Sequence, residues 1–338
     1  MKIKRIGVDL AKQVFQVHGV DGEERVVLKR QLRRQQMLVF FGKIEPCLIG
    51  MEACASAHYW ARELMKLGHT VKLMAPQHVK PYVKGNKNDA NDAAAICEAV
   101  SRHSMRFVAV KTVDQQDLQA QHRVRSLLVR QRTAKANEIR GLLGEYGIVV
   151  GQRIDRLRCA LPVLLERTDR GLSDPLRLLL AGLQEDLIRL DERVTQLDRV
   201  IERAAKEDAT ARRLQQIPGI GPITATALVA SVGDARQFRR ARDMAAWLGL
   251  VPRQRSSGGK DVLLGISKRG DAYLRTLLIH GARAVTRVAS RKSDPRSRWI
   301  DRLSKRRHAN IAAVALANKN ARIAWALMTR QTDYVAAV

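Results

Sequence analysis

Lys4-Arg5-Ile6-Gly7-Val8-Asp9-Leu10-Ala11 is the first of three β-rich runs, KRIGVDLA (4–11), VFQVHGVD (14–21) and ERVVLKRQ (24–31). Asp21-Gly22 and a short polar break divide them, a spacing that predicts an antiparallel meander of three strands. A helical stretch over 35–43 comes next. CLIGMEA (47–53), a helix over 56–67 and TVKLMAP (70–76) then read as β-α-β. Residues 88–101 read as a helix, because Ala93, Ala94, Ile96, Cys97 and Val100 recur at three- to four-residue spacing.

Three antiparallel strands followed by crossover-linked strands is the order expected of a ribonuclease-H-like α/β domain with a mixed sheet. In that topology the first and fourth strands lie side by side, and four acids gain meaning. Asp9 sits in an apolar strand among Ile6, Val8 and Leu10, and Glu52 closes another, Leu48-Ile49-Gly50-Met51. Asp89 and Asp92 form an i,i+3 pair on one helical face in Lys87-Asn88-Asp89-Ala90-Asn91-Asp92. A carboxylate in a buried strand is costly unless it is paired or coordinated. Asp9 and Glu52 are expected at one sheet edge, with the Asp89/Asp92 helix covering them. Four gathered carboxylates repel one another, and two Mg²⁺ ions are the ordinary remedy, placed to activate a nucleophile at a phosphodiester. Each acid has a plainer reading too, since helix N-terminal carboxylates often only compensate the dipole.

Downstream, residues 114–160 read as helical and basic. Leu176, Leu180, Leu183, Leu187, Leu190, Val194, Leu197 and Ile201 make an a/d heptad seam, with Asp174 expected as N-cap and Pro175 as the first helical residue. The seam predicts a coiled-coil contact within or between chains. Gln216-Ile217-Pro218-Gly219-Ile220-Gly221 between two helices has the form of a helix-hairpin-helix turn, in which Gly219 and Gly221 would admit a phosphate. A Pro-Gly turn that merely links packed helices has the same pattern. Gly249-Leu250-Val251-Pro252-Arg253-Gln254-Arg255-Ser256-Ser257-Gly258-Gly259-Lys260 reads as a loop with a small, mobile tip. Its hydroxyls could approach a phosphorus atom, with Arg253, Arg255 and Lys260 holding the phosphate. Lys268 and Arg269 stand in a second basic turn before an Asp271-opened helix. The remaining tail reads as helices.

Composition narrows the partners. The 338 residues hold 61 Lys and Arg against 33 acids, a net charge of +28, which calls for a polyanion. Residues 236–330 carry 23 basic and 5 acidic side chains, so the strongest phosphate attraction lies there. Aromatics at 4% argue against a binder built on base stacking. Cys47, Cys54, Cys97 and Cys159 show no zinc spacing and are expected to be reduced, buried thiols of a cytosolic protein. The opening MKIKRIGVDL lacks the apolar segment of a signal peptide, and no apolar run could span a bilayer.

Taken together, IGVDLAKQVFQVH, GMEACASAHYWARELMKLGH, KNDANDAAAICEA, QQIPGIGPITATAL and AAWLGLVPRQRSSGGKDVLLGISKRGDAYLR resemble the DEDD transposases of the Piv / IS-one-ten insertion-sequence family, most closely its IS-eleven-eleven group. The resemblance spans nearly the whole chain, with several motifs in order. It implies a Holliday-junction-resolvase-like catalytic domain over 1–112, whose metal ligands are Asp9, Glu52, Asp89 and Asp92. It implies long coiled-coil helices over 113–208 used for dimerisation, and a C-terminal domain over 209–332 that supplies a serine nucleophile. The family's serine directly precedes a glycine after Gly-Leu-x-Pro-Arg, which maps onto Ser257, with Ser256 beside it as the alternative.

In function, the resemblance implies a bacterial, nucleoid-associated recombinase that excises and inserts its element. It would use Mg²⁺ (or Mn²⁺), double-stranded DNA, a structured guide RNA and a homo-oligomer, dimeric and then tetrameric in the synapse. Three rivals stand beside it: a resolvase-like nuclease using water, a non-catalytic nucleic-acid-binding protein, and an actin-like ATPase. The last needs glycine after its strand acid, where Leu10-Ala11-Lys12 stands here.

Overall fold

The computed structural model describes residues 2–86, 88–166 and 171–336; Lys87, which opens the Asp89/Asp92 motif, lies outside the described residues. The chain forms two compact units, one running to Gln115 with Val232–Asp243, the other Gln116–Ser231 with Met244 onward.

In the first unit the meander forms as its alternation requires. Strands β1 (Arg5–Leu10), β2 (Val14–Val20) and β3 (Val26–Arg33) pair antiparallel. A short helix α1 (Met37–Phe41) leads to β4 (Leu48–Glu52), α2 (Ala57–Lys66) and β5 (Thr70–Met74). Helices α3 (Pro76–Val79) and α4 (Asp89–Ala99) precede a two-residue edge strand, β6 (Phe107–Val108). The sheet order is β3-β2-β1-β4-β5-β6, with β4 parallel to both β1 and β5. The first and fourth strands are neighbours, as the spacing predicts. One face buries Ile6, Val8, Phe15, Val17, Leu32, Ile49, Met51 and Leu73 with Met37, Phe41, Trp60 and Leu64. The other face receives α4.

The second unit is mostly helical. Its helices are α5 (Val113–Gly144), α6 (Ile154–Glu166), α7 (Asp174–Glu207), α8 (Ala209–Gln215), α9 (Pro222–Val232) and α10 (Ala241–Trp247). Strands β7 (Pro252–Ser257) and β8 (Lys260–Ile266) then pair antiparallel, and α11 (Ala272–Val288), α12 (Pro295–Arg306) and α13 (Ala309–Arg330) complete it. The helix expected over 114–160 is broken, ending at Gly144 and resuming at Ile154. Gly141, Gly144, Gly147 and Gly151 punctuate the break, and Ile148 from the connection packs with Leu143, Leu157 and Leu161.

Helix α7 starts one residue earlier than expected. Ser173 is the N-cap, Asp174 stands in the first turn and Pro175 occupies the second helical position. Every seventh residue along it, Leu180, Leu187, Val194 and Ile201, is buried, whereas Leu183, Leu190 and Leu197 stay half-buried. Its neighbour is α5 of the same chain. The two run antiparallel along a ladder of ion pairs, Arg125–Asp198, Arg132–Asp191 at 3.1 Å and Lys135–Asp186 at 2.6 Å.

A buried polar chain crosses this unit with one consistent direction of donation. The Thr226 hydroxyl donates to Pro222 O at 2.7 Å, so it accepts from His122 Nε2 at 3.0 Å. His122 Nδ1 therefore accepts from the Tyr273 hydroxyl at 3.1 Å, and Arg125 donates to Tyr273. Burial, then the nearby Arg125 charge, pushes the His122 imidazole down to about 4. In the first unit, burial and then Lys111 and Arg62 do the same to His58, also to about 4.

All four cysteines are free, and Cys47 and Cys97 are buried as expected. Cys159 is exposed on α6 and Cys54 is half-buried, which corrects the expectation for those two. No helix among the described residues is long and apolar enough to cross a membrane.

Candidate active site

The carboxylates converge because two glycines let a helix lie directly on the sheet. Gly7 and Gly50 are register partners on β1 and β4. A Cβ on Gly7 would stand 2.3 Å from both Ala93 O and Cys97 N, and one on Gly50 would stand 2.8 Å from Val100 Cβ. Both glycines therefore face α4. Side chains alternate along a strand, so Asp9 and Glu52, each two residues further on, share that face. Arg5, two residues before Gly7, confirms the pleat by donating from Nε to Cys97 O at 2.9 Å.

Helix α4 begins above this end of the sheet. The Asn88 side chain caps it by accepting from Asn91 N at 2.8 Å, and Asp89 and Asp92 occupy the first turn, where the helix dipole favours negative charge. Carboxylate oxygens of Asp9, Asp89 and Asp92 all lie within 4.8 Å of one another. Glu52 is not part of that trio, yet it is near. Burial first, then the charges of Glu52 and Asp9, raises the Cys54 thiol above its ordinary value, so both acids act on one sulfur.

This donor set fits a divalent cation. Hard oxygen ligands at 2.0–2.6 Å around one ion span at most about 4–5 Å, which matches the observed clustering. Like charges gathered so closely, two of them half-buried, need a counter-charge.

The serine segment is an ordered hairpin and not a mobile loop. Ser257 pairs with Lys260 across a two-residue turn in which Gly258 and Gly259 have φ of +55° and +77°. Positive φ at both central positions is the tight hairpin turn whose twist suits the strands, and glycine takes it without strain. The hairpin's base is held where Ser267 N donates to Val251 O at 2.8 Å and Lys268 N to Gly249 O at 3.1 Å.

Alternation gives the hairpin two chemically different faces. Arg255, Ser257 and Lys260 share one with Val262, while Gln254, Ser256 and Asp261 share the other with Leu263. On the second face the Ser256 hydroxyl donates to Asp261 Oδ1 at 2.6 Å. Gln254 Nε2 donates to Ser256 Oγ at 2.7 Å and to Asp261 at 3.0 Å. Those bonds, Ser256 first, hold the Asp261 carboxyl below its usual range. Arg253, Arg255 and Arg269 line a groove of about 460 Å³ along the hairpin flank. Lys268 is exposed in the turn behind it.

The expected phosphate glycines stand apart from this groove. Gly219 has φ of +93°, and a Cβ there would meet Gly281 O of α11 at 2.9 Å, so its openness serves packing of the turn on that helix. Asn320 Nδ2 holds the same turn through Pro218 O at 3.0 Å. Gly221 is exposed with open space beside it.

Sequence reading missed Gly7, Gly50, Cys54, Gln254 and Asp261. The glycines inside Ile6-Gly7-Val8 and Ile49-Gly50-Met51 were the legible signal, since glycine within a strand marks close backbone approach.

Known proteins resemble this chain along nearly its whole length. Residues 6–148 match the DEDD family of IS110, described as Transposase, and residues 211–298 match the Transposase IS116/IS110/IS902 family. A probable family 20 transposase of Pseudomonas aeruginosa is 59% identical over 335 residues, covering 99% of each chain. The transposase for insertion sequence element IS1111A of Coxiella burnetii is 49% identical, covering 98% of this chain and 91% of that one. That for IS1328 of Yersinia enterocolitica is 43% identical over 97% of this chain and 98% of its own. These matches define a DNA-processing enzyme. The chain belongs to the IS110/IS116/IS902 family of insertion-sequence transposases, and its partner is DNA.

Proposed function

We propose that this transposase cuts and rejoins DNA through a covalent phosphoserine bond formed by Ser257. Asp9, Glu52, Asp89 and Asp92 hold the divalent cations the reaction needs. The observation that carries the reading is the convergence of Asp9, Asp89 and Asp92 from a strand and a helix start onto the face shared by Glu52. When bound, two Mg²⁺ ions, or Mn²⁺ in their place, supply positive charge that eases deprotonation of the nucleophile and stabilises the departing oxygen. The bond from Ser257 Oγ to phosphorus forms as the bond to one deoxyribose oxygen breaks. The serine proton is released and the leaving oxygen takes one up. Arg253, Arg255, Lys260, Lys268 and Arg269 bind the phosphates, and Arg255 and Lys260 flank Ser257 on its own face. Ser256 is committed to Asp261 on the opposite face, which favours Ser257 as nucleophile.

The reading extends to architecture and partners. The β3-β2-β1-β4-β5 order supports a ribonuclease-H-like catalytic domain over 1–112. The α5–α7 pair supports a coiled-coil region over 113–208, whose half-buried Leu183 and Leu190 favour a dimer. Residues 209–332 form the serine domain, whose helix-hairpin-helix turn packs on α11 through Gly219 and presents the exposed Gly221 to nucleic acid. A structured guide RNA encoded beside the gene specifies the DNA sites, and a tetramer forms the synapse in the bacterial cytoplasm at the nucleoid.

A denaturing gel of full-length protein with DNA spanning the element's junction and its flanking RNA tests this. Wild type should give a protein–DNA adduct that Ser257→Ala abolishes and Ser256→Ala keeps. The reverse pattern moves the nucleophile to Ser256. Scission without any adduct establishes hydrolysis by water instead.

A further inference from the structure

Helix α4 covers only part of the sheet face that carries Asp9, packing on β1, β2 and β4. Register continues that face outward onto β2 and β3. Asp9 is level with Gln16 and then Gln31, and Gly7 is level with His18 and then Lys29. Arg33 lies one pleat beyond Gln31 on the same side of β3. Gln16 and His18 are half-buried, while Lys29, Gln31 and Arg33 are exposed. On the opposite side of β3 Leu32 is buried in the core, and Arg30 stacks over Phe40 while also bordering the groove beside α4.

A groove of about 330 Å³ runs between this shelf and α4, whose side of it is small and uncharged: Ala90, Asn91, Ala93 and Ala94. Among the described residues, no carboxylate, Phe, Tyr or Trp lines it. Neither Lys29 nor Arg33 has an ion-pair partner among the described residues. Burial, then the charges of Lys29 and Arg5, lowers the His18 imidazole below its ordinary value.

We propose that this shelf seats the sugar–phosphate backbone of the DNA strand to be cut, with Lys29 and Arg33 on phosphates and Gln16, His18 and Gln31 as hydrogen-bonding partners. The proposal rests on the acids being the catalytic centre. Two features select this occupant. The groove offers cations and amides and no Phe, Tyr or Trp to stack a base, so it suits a backbone more than base edges. It is also continuous with the carboxylate trio, since Gln16 is Asp9's register partner and Ala90 and Asn91 lie between Asp89 and Asp92. A strand lying there would be led to the acids.

The experiment uses full-length protein with p-benzoylphenylalanine replacing Gln31, irradiated with a short DNA duplex carrying the element's junction together with its flanking RNA. Crosslinking to DNA next to the scissile phosphate is expected; capture of RNA alone, or of neither, overturns the proposal. In parallel, Lys29→Ala/Arg33→Ala should lower cleavage about tenfold and flatten the dependence of log affinity on log salt by about 1.8, about 0.9 for each of two phosphates lost. An unchanged slope with unchanged cleavage also overturns it. Asp9→Asn and Mn²⁺ calorimetry separate the two levels. If Asp9→Asn still cleaves, the reading of the acids fails. If Asp9→Asn is inactive while the double variant binds Mn²⁺ and cleaves like wild type, the shelf alone fails.

Discussion

The carboxylate trio and the serine hairpin solve opposite problems. Asp9, Asp89 and Asp92 are held by a strand core and by a helix lying on glycine backbone, so their oxygens are gathered before any cation arrives. Every residue of β7 is exposed, and the hairpin's order comes from its own ladder and turn. A site for a cation gains from rigid convergence, because like charges left to themselves separate. On the proposed reading, a serine that reaches a phosphorus atom gains from projection. Rigidity and reach are thus assigned to different units of one chain.

The largest test of that division is Asp9→Asn. Strand cleavage should fall at least about 10³-fold, the equivalent of about 4 kcal/mol of lost charge stabilisation, in a gel-based rate assay. DNA affinity should stay within about twofold. If binding collapses along with cleavage, the acids are structural and the comparison fails.

Gly7→Val asks whether the glycine contact itself gathers the acids. Its Cβ would collide with Ala93 O and Cys97 N, so α4 must lift. Overpacking of this kind costs about 1–3 kcal/mol or more. Calorimetry should show a lower melting temperature and loss of Mn²⁺ binding together, whereas Gly258→Ala, at the hairpin tip, should leave Mn²⁺ binding unchanged.

Acid pH reaches the frameworks of both units alike. His122 and His58 are held down to about 4 in the folded state, below the ordinary value near 6.5. Their contribution to stability is therefore complete above about 6.5 and is lost as pH falls toward 4. For the buried His122 the span corresponds to about 3 kcal/mol. Denaturant midpoints measured from pH 7 to pH 4 should fall, and His122→Gln should flatten that fall.

The smallest effect belongs to the exposed end of the ion-pair ladder, at Asp186. Asp186→Asn removes the partner of Lys135 and Arg189 and should leave the denaturant midpoint nearly unchanged. A clear drop would mean that the α5–α7 ladder is as preorganised as the acid site.

The meander, the crossover and the placement of Asp9 were legible because each rests on local alternation beside a burial requirement. Asp9 in Ile6-Gly7-Val8-Asp9-Leu10 is informative since an acid in an apolar strand has to be explained. Glu52's position outside the trio was not legible, because strand register says which face a side chain shares but not how far it reaches. The β7–β8 strands escaped notice for a different reason. Arg253-Gln254-Arg255-Ser256-Ser257 buries nothing, so no apolar alternation marks it, although Gly258-Gly259 is a hairpin turn signal. Likewise the α5–α6 break was written in Gly141, Gly144, Gly147 and Gly151, and helical composition on either side masked it.

One consequence of the hairpin reaches into how such a chain can change over time. With a pleat of period two, gain or loss of a single residue between Gln254 and Gly258 would exchange the neighbours of the two serines, turning the guanidinium-flanked hydroxyl toward Asp261. Changes of two residues would preserve its surroundings. Viable length variants of this ribbon should therefore differ by even numbers, a parity rule that descends from backbone geometry alone.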